Sequence, residues 1–258
     1  MSLNPQIRNW QHKRVWVIGA SSGIGASVAR HLLALGARVA LSARSATELE
    51  CIAAPHGAAA LAAPLDVTDA AAVAPVLQQI VSAWGGVDLV LLCAGSHQSV
   101  RAWELDAAVA RRLVEVNLNG VINCLSAVVP QLLEQKAGGV GVVSSVAGYG
   151  GLPTALIYGA TKAALINLAE TLYLDLAPRG LAVYLINPGF VRTPLTDKNT
   201  FPMPALISAD EAAREIIAGL EQGRFEIHFP RRFTLWLKIL RLLPYRWYFA
   251  LVRKGTGL

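Results

Sequence analysis

Short runs of consecutive apolar residues alternate along the chain with longer stretches in which apolar residues recur every three to four positions. Arg14-Val-Trp-Val-Ile18 and Arg38-Val-Ala-Leu41 are runs of the first kind and predict strands. Ala58 to Leu65 predicts a third, and Val87-Asp-Leu-Val-Leu-Leu92, apolar at nearly every position, reads as a strand buried on both faces. Val140 to Ser144 and Leu181 to Ile186 predict two more. Between them, Ile24 to Leu35, Asp69 to Trp84, Leu105 to Gln135 and Thr154 to Ala177 read as helices. Strands alternating with helices predict βαβ units, and so a doubly wound, mostly parallel α/β sheet with right-handed crossovers and helices on both faces.

Ligands of such sheets bind beyond the carboxyl ends of the strands. Four segments fall there: the glycine loop Gly19-Ala-Ser-Ser-Gly23-Ile-Gly25, Gly95, Ser145 and Asn187-Pro188-Gly189. Without Cβ atoms the glycine loop can turn tightly and approach a pyrophosphate, whose charge is favoured at the N-terminus of the following helix. An ordinary strand-to-helix turn has the same glycines; the flanking strand and helix favour a Rossmann-type dinucleotide site. The second strand ends in Ser42-Ala43-Arg44-Ser45, and no acidic residue precedes Glu48. NAD sites usually place an acid there for the ribose 2′-hydroxyl, whereas Arg suits the 2′-phosphate of NADP, so NADP(H) is expected in preference to NAD(H). Arg44 as a solvated loop residue is the plain alternative.

Tyr158 and Lys162 stand four residues apart, which on a helix puts phenol and ammonium on one face. A free Tyr, with a pKa of about 10, is a poor acid or base at neutral pH. A nearby positive charge stabilises the phenolate and brings it closer to use. Ser145 lies thirteen positions upstream of Tyr158.

The chain has 258 residues, 54% of them hydrophobic, enough for a large core in one domain. Its net charge of +6 is concentrated: between Arg231 and Lys254 there are seven Lys or Arg and no acid, leaving the remainder nearly neutral. With no zinc-finger spacing and no RNP-like motif, a nucleic-acid partner is not expected. Cys51, Cys93 and Cys124 form no CxxC pair, so neither a disulfide framework nor a metal site is expected, and a reducing cytoplasm fits. Met1 to Arg14 is too polar for a signal peptide, and no run reaches the roughly 18 uninterrupted apolar residues of a spanning helix.

From about residue 12 to 228 the chain resembles the short-chain dehydrogenase/reductase family. The glycine segment is similar to that family's nucleotide motif, with Ile18 where Thr is usual. Leu92-Cys93-Ala94-Gly95 resembles its Asn-Asn-Ala-Gly segment with both Asn replaced. Asp66, before Val67, matches the position used near adenine, and Asn187-Pro188-Gly189-Phe-Val191-Arg-Thr193-Pro matches the segment near the nicotinamide, where Thr193 would bond the carboxamide. The resemblance thus implies cofactor contacts from Gly19, Ser21, Ser22, Gly23, Ile24, Gly25, Arg44, Ser45, Asp66, Val67, Ala94, Gly95, Asn117, Tyr158, Lys162, Pro188, Gly189, Val191 and Thr193. It implies a catalytic set of Asn117, Ser145, Tyr158 and Lys162, with Ser145 favoured over Ser144 by spacing. In that reading Tyr158 is the acid, Ser145 orients the carbonyl, Lys162 lowers the phenol's pKa and binds ribose, and Asn117 holds a water that links Lys162 to solvent.

The implied activity is reversible hydride transfer between a nicotinamide and a carbonyl or secondary alcohol. Residues 193–207, which shape the substrate pocket in that family, include Leu195, Phe201, Met203, Leu206 and Ile207, and suggest an apolar substrate. A catalytically idle NADP-binding regulatory or scaffolding protein is the alternative. A homodimer or homotetramer is implied, with the two long helices pairing across a twofold axis. Residues 1–228 read as the catalytic domain and 229–258 as an extension. Phe233, Trp236, Leu237, Leu240 and Leu243 fall at helical spacing among basic residues, and Pro244 ends that helix. Such an element suits an anionic membrane surface, the substrate cleft or a subunit interface.

Overall fold

The pleat of the central strand sends Val15 and Val17 into one hydrophobic layer and Trp16 and Ile18 into the other. The computed structural model describes residues 2–197, 199 and 201–257, so Met1, Lys198, Thr200 and Leu258 lie outside it. Seven strands form one parallel sheet: β1 (Arg14–Ile18), β2 (Arg38–Ser42), β3 (Ala60–Ala62), β4 (Leu89–Leu92), β5 (Gly139–Val143), β6 (Ala182–Pro188) and β7 (Glu226–Phe229). Their order is β3-β2-β1-β4-β5-β6-β7, so the winding reverses between β1 and β4. The helices are α1 (Gly23–Ala34), α2 (Ala46–Ala53), α3 (Ala70–Trp84), α4 (Ala107–Val114), α5 (Gly120–Gln135), α6 (Leu156–Leu176), α7 (Ala209–Glu221), α8 (Arg231–Arg241) and α9 (Tyr245–Thr256).

Helices α1, α2 and α7 pack on one face of the sheet, and α3, α5 and α6 on the other. Side chains such as Leu32, Leu91 and Leu165 are fully buried, each worth roughly 1.5–3 kcal/mol relative to exposure. This is the Rossmann-type doubly wound architecture that the alternation of periods predicts. Among the described residues, only the continuous helical stretch Ala107–Gln135 is long and apolar enough to cross a membrane. Its Val121, Cys124, Val128 and Leu132 are buried in the core against the sheet.

The structure departs from the sequence-based elements in four places. β3 is only three residues long, because Ala60-Leu-Ala62 offers little to bury at a sheet edge. The stretch expected as one helix from Leu105 starts at Ala107 and carries a π-turn at Glu115–Asn119 within its continuous run. Strand β7 and helices α2, α7 and α9 were not expected: Glu226 and His228 interrupt the apolar run of β7, which shows the alternation of a half-covered edge strand instead. The stripe expected on α8 is divided, since Phe233, Leu237, Leu240 and Leu243 are half-buried while Trp236 points outward, and the fully buried residue of that helix is Thr234.

Candidate active site

The reversal between β1 and β4 opens a crevice at their carboxyl ends, the place where such sheets bind ligands. Gly19 closes it from below with φ +95°, and a Cβ there would lie 2.5 Å from the Ala94 backbone nitrogen. Only glycine allows that approach. Gly25 is as restricted, because its Cβ would overlap the Gly19 carbonyl oxygen. Ser22 occupies the N-cap of α1 in an extended conformation without a capping side-chain bond, and the first turn holds no acid. The first amides of α1 therefore face the crevice with their positive end unneutralised, which suits a pyrophosphate. Ser21 and Ile24 lie in this same turn, and Gly23 approaches Thr193, whose Cγ2 would be 3.0 Å from a Cβ at Gly23. Thr193, from the far end of the site, thus closes over the glycine loop.

At the end of β2, Ser42 is structural: its hydroxyl donates to the Ala63 carbonyl at 2.6 Å and accepts from the Trp16 indole at 2.9 Å. Arg44 follows, exposed, and Ser45 caps α2 by accepting from the Glu48 amide. Asp66 accepts from the Thr68 amide at 3.0 Å and hydroxyl at 2.8 Å. Those bonds hold its carboxyl below the ordinary range, and the charge of Arg44 adds to the effect. Arg44 and Asp66 therefore border one corner of the crevice. Val67 beside them is buried and touches Gly120 at the start of α5.

The catalytic candidates converge at the ends of β4, β5 and β6. The two serines after β5 divide their work. Ser144 donates to the Lys162 carbonyl at 2.7 Å and so ties β5 to α6, whereas Ser145 accepts from the Ala147 amide at 3.1 Å and approaches the Pro188 carbonyl at 3.5 Å. Ser145 also faces the Tyr158 phenol. Burial raises the phenol's pKa above its usual value and the Ser145 hydroxyl pulls it the other way. Lys162 is buried and donates from Nζ to the Val143 carbonyl at 2.9 Å, 5.7 Å from the Tyr158 ring centre. Burial brings its ammonium down to about 8. Burial therefore dominates at the phenol, and the opposing effect comes from the Ser145 hydroxyl, not from Lys162 as expected.

Asn117 sits inside the π-turn, where its Oδ1 accepts from the Ser96 amide at 2.7 Å and its Nδ2 donates to the Ser96 carbonyl at 2.9 Å and to Thr161 at 3.2 Å. It clamps the loop after β4 to α6. A Cβ on Gly95 would stand 3.6 Å from Asn117 Oδ1 and 3.7 Å from Lys162 Nζ, so Ala94-Gly95 forms the floor between them. Pro188 ends β6, the Gly189 amide donates to the Phe229 carbonyl at 2.7 Å, and buried Val191 bridges to Ile207. The structure thus brings Gly95, Asn117, Ser145, Tyr158 and Lys162 together at the ends of β4 and β5, and sets Arg44 and Asp66 beside each other after β2 and β3.

Residues 13–202 match the family model described as short chain dehydrogenase. The chain belongs to the short-chain dehydrogenase family. An uncharacterized oxidoreductase of Myxococcus xanthus (strain DK1622) is 35% identical over 236 residues, 90% of this chain and 93% of its own. The 3-oxoacyl-(acyl-carrier-protein) reductase FabG of Staphylococcus aureus (strain Mu50 / ATCC 700699) is 33% identical over 217 residues, 83% of this chain and 85% of its own. Among solved structures, the 3-ketoacyl-(acyl-carrier-protein) reductase of Brucella melitensis complexed with NADH superposes with a TM-score of 0.78 at 26% identity, covering 86% of this chain and 99% of that one. As a short-chain dehydrogenase the chain is an oxidoreductase acting on CH–OH or C=O groups with a nicotinamide dinucleotide.

Two features of this short-chain dehydrogenase escaped the sequence reading. His97, in the loop after β4, meets the Tyr158 ring edge to face at 4.7 Å, and burial lowers its pKa, keeping the imidazole neutral at pH 7. Its place two residues beyond Gly95, at a strand's carboxyl end, was the available signal. The second feature is a polar network behind Ser145. Glu226 accepts from the Tyr149 hydroxyl at 2.6 Å and from Asn187 Nδ2 at 2.9 Å, and pairs with Lys238 of α8. No local pattern links those four residues, because three different elements and a loop bring them together.

Proposed function

We propose that the chain is an NADP(H)-dependent reductase and dehydrogenase of apolar carbonyls and secondary alcohols. The observation that carries this reading is the convergence of Ser145, Tyr158 and Lys162 at the strand ends beside a glycine loop that tolerates no Cβ. When bound, the nicotinamide cofactor supplies or accepts the hydride. Tyr158 donates its proton to the oxygen as alkoxide character develops, and Ser145 donates a hydrogen bond to the same oxygen and holds the carbonyl in line. Lys162 contributes positive charge beneath the phenol and a donor for ribose hydroxyls. Asn117 holds the loop after β4 against α6 and so fixes the floor beside Lys162.

NADP(H) preference rests on exposed Arg44 at the end of β2 and on the lack of an acid before Glu48. The negative charge nearest this corner, Asp66, is engaged by Thr68. Titration of both cofactors tests the reading. NADPH should bind roughly ten- to hundredfold more tightly than NADH, a ratio that Arg44→Asp reverses. Equal or tighter NADH binding to the unaltered chain would refute it.

The apolar substrate reading rests on Phe201, Leu195, Met203 and Ile207 beyond Thr193; Phe201 packs on Phe190, with ring centres 5.9 Å apart. A panel of carbonyls from small polar ketones to long-chain 3-keto compounds, followed by NADPH oxidation, tests it. Cofactor binding without turnover of any member would favour an idle binding protein. Outward-facing Ile122 of α5 and Leu156 and Leu174 of α6 support pairing of these helices in a homodimer or homotetramer. Only monomer in light scattering at micromolar concentration would count against it. A cytoplasmic setting suits three free thiols, one of them exposed.

A further inference from the structure

The terminal helices α8 and α9 carry two apolar faces where one would suffice for packing. The inner face is anchored. Thr234 and Tyr248 are buried, the Tyr248 hydroxyl donates to the Gly151 carbonyl at 2.8 Å, and Phe233 packs on Phe190 at 5.6 Å between ring centres. The Lys238–Glu226 pair and the Tyr149 hydroxyl on the same carboxylate complete the attachment. This seam runs along the loop that joins Ser145 to the start of α6.

The outer face has no partner on another element among the described residues. On α8, Leu235, Trp236 and Ile239 are exposed, and just beyond it Leu242 is 84% exposed. On α9 the pattern continues with Tyr245, Trp247, Phe249 and Leu251, and Trp236 and Trp247 are each 63% exposed. Leu235, Trp236, Ile239 and Leu242 share one side of α8 and its C-terminal cap, while on α9 Tyr245 and Phe249 fall on one side and Trp247 and Leu251 on the other, so eight large apolar residues stand exposed on two adjoining short helices, more than soluble surfaces usually leave bare. Around it stand Arg231, Arg232, Arg241, Arg246, Arg253 and Lys254, all exposed, with no acidic residue from 231 to 258.

We propose that this face docks on an anionic lipid bilayer, with α8 and α9 lying in the plane of the headgroups. Three observations select that occupant. The charge is of one sign, complementary to anionic headgroups. A second copy of the same face, brought up across a twofold axis, would oppose basic to basic. The exposed aromatics include two Trp and a Tyr, the side chains whose apolar body and polar tip suit the lipid–water boundary. Helices of eleven and twelve residues are too short to span a hydrocarbon core that requires about 20, so the contact is interfacial.

The experiment uses the full chain and needs no substrate. Sedimentation with phosphatidylcholine vesicles, with and without phosphatidylglycerol, should show binding only to the phosphatidylglycerol vesicles, weakening as salt rises. Trp236→Ser combined with Leu242→Ser should lower binding at least about tenfold, and so should Arg246→Glu combined with Arg253→Glu. Both pairs point away from the core, so thermal unfolding and NADPH affinity serve as controls for folding. Binding to neutral and anionic vesicles alike, no binding to either, or binding indifferent to both pairs would overturn the proposal. A self-association abolished by Trp236→Ser with Leu242→Ser, without vesicle binding, would overturn it too and assign the face to a second copy of the chain.

Discussion

The catalytic wall and the terminal helical pair break the same rule in opposite directions. Around β4, β5 and α6, polar side chains go inside: Asn117, Ser144, Ser145, Thr161 and Lys162 are buried, and each has hydrogen-bond partners. On α8 and α9 large apolar side chains go outside, and Lys238 is the only cation of the pair with an ion-pair partner among the described residues. Burying an ammonium such as Lys162 is unfavourable unless its charge is used, and exposing a Trp is unfavourable unless something covers it. Each departure marks work done at that place. At the wall that work is the chemistry of the site; at the pair it is the bilayer contact proposed above.

Substitutions that separate the two regions should have effects of very different size. The largest is expected at Tyr158→Phe, which removes only the proton donor: turnover should fall by roughly two to four orders of magnitude with cofactor affinity little changed. Full turnover in that variant on any carbonyl the unaltered chain reduces would remove the wall from the mechanism.

Next comes a dependence on pH. Burial brings Lys162 down to about 8, so its ammonium is present below that value and lost above it. NADPH affinity in the free chain should weaken as pH rises through about 8, by roughly tenfold or less, and Lys162→Met should abolish that step while weakening binding at every pH. A fluorescence titration across this range checks it; an affinity flat to pH 10 would show that the ammonium is not engaged.

Smaller still is Tyr248→Phe in the terminal pair, which deletes the hydroxyl donated to Gly151. Urea unfolding should register a loss of about 0.5–1.5 kcal/mol. The smallest effect belongs to the outer face, where Trp236→Ser with Leu242→Ser should change unfolding stability by no more than about 0.5 kcal/mol per residue. A loss of several kcal/mol there would mean that the face packs against something within the chain, and the contrast between the two regions would collapse.

Periodicity alone determined the doubly wound sheet, because strands buried on both faces must be apolar throughout and helices covering one side must repeat near 3.6 residues. It also located the glycine loop, whose residue type follows from a backbone conformation and a close approach that only glycine meets. The spacing of Tyr158 and Lys162 was enough to place them on one helical face. What local pattern could not supply were pairings distant in sequence. β7 forms only because β6 offers an edge to a segment whose own alternation includes Glu226 and His228. Spacing favoured Ser145 over Ser144, but the physical reason, Ser144 being occupied with the Lys162 carbonyl, is visible only in the fold. His97 acquires meaning only when the loop after β4 folds onto Tyr158. A helical wheel of α8 shows an amphipathic stripe but not which side the domain takes. The Lys238–Glu226 pair and the Tyr248 anchor decide that, and they turn Trp236, Leu242 and Trp247 outward because the inner contacts are already filled.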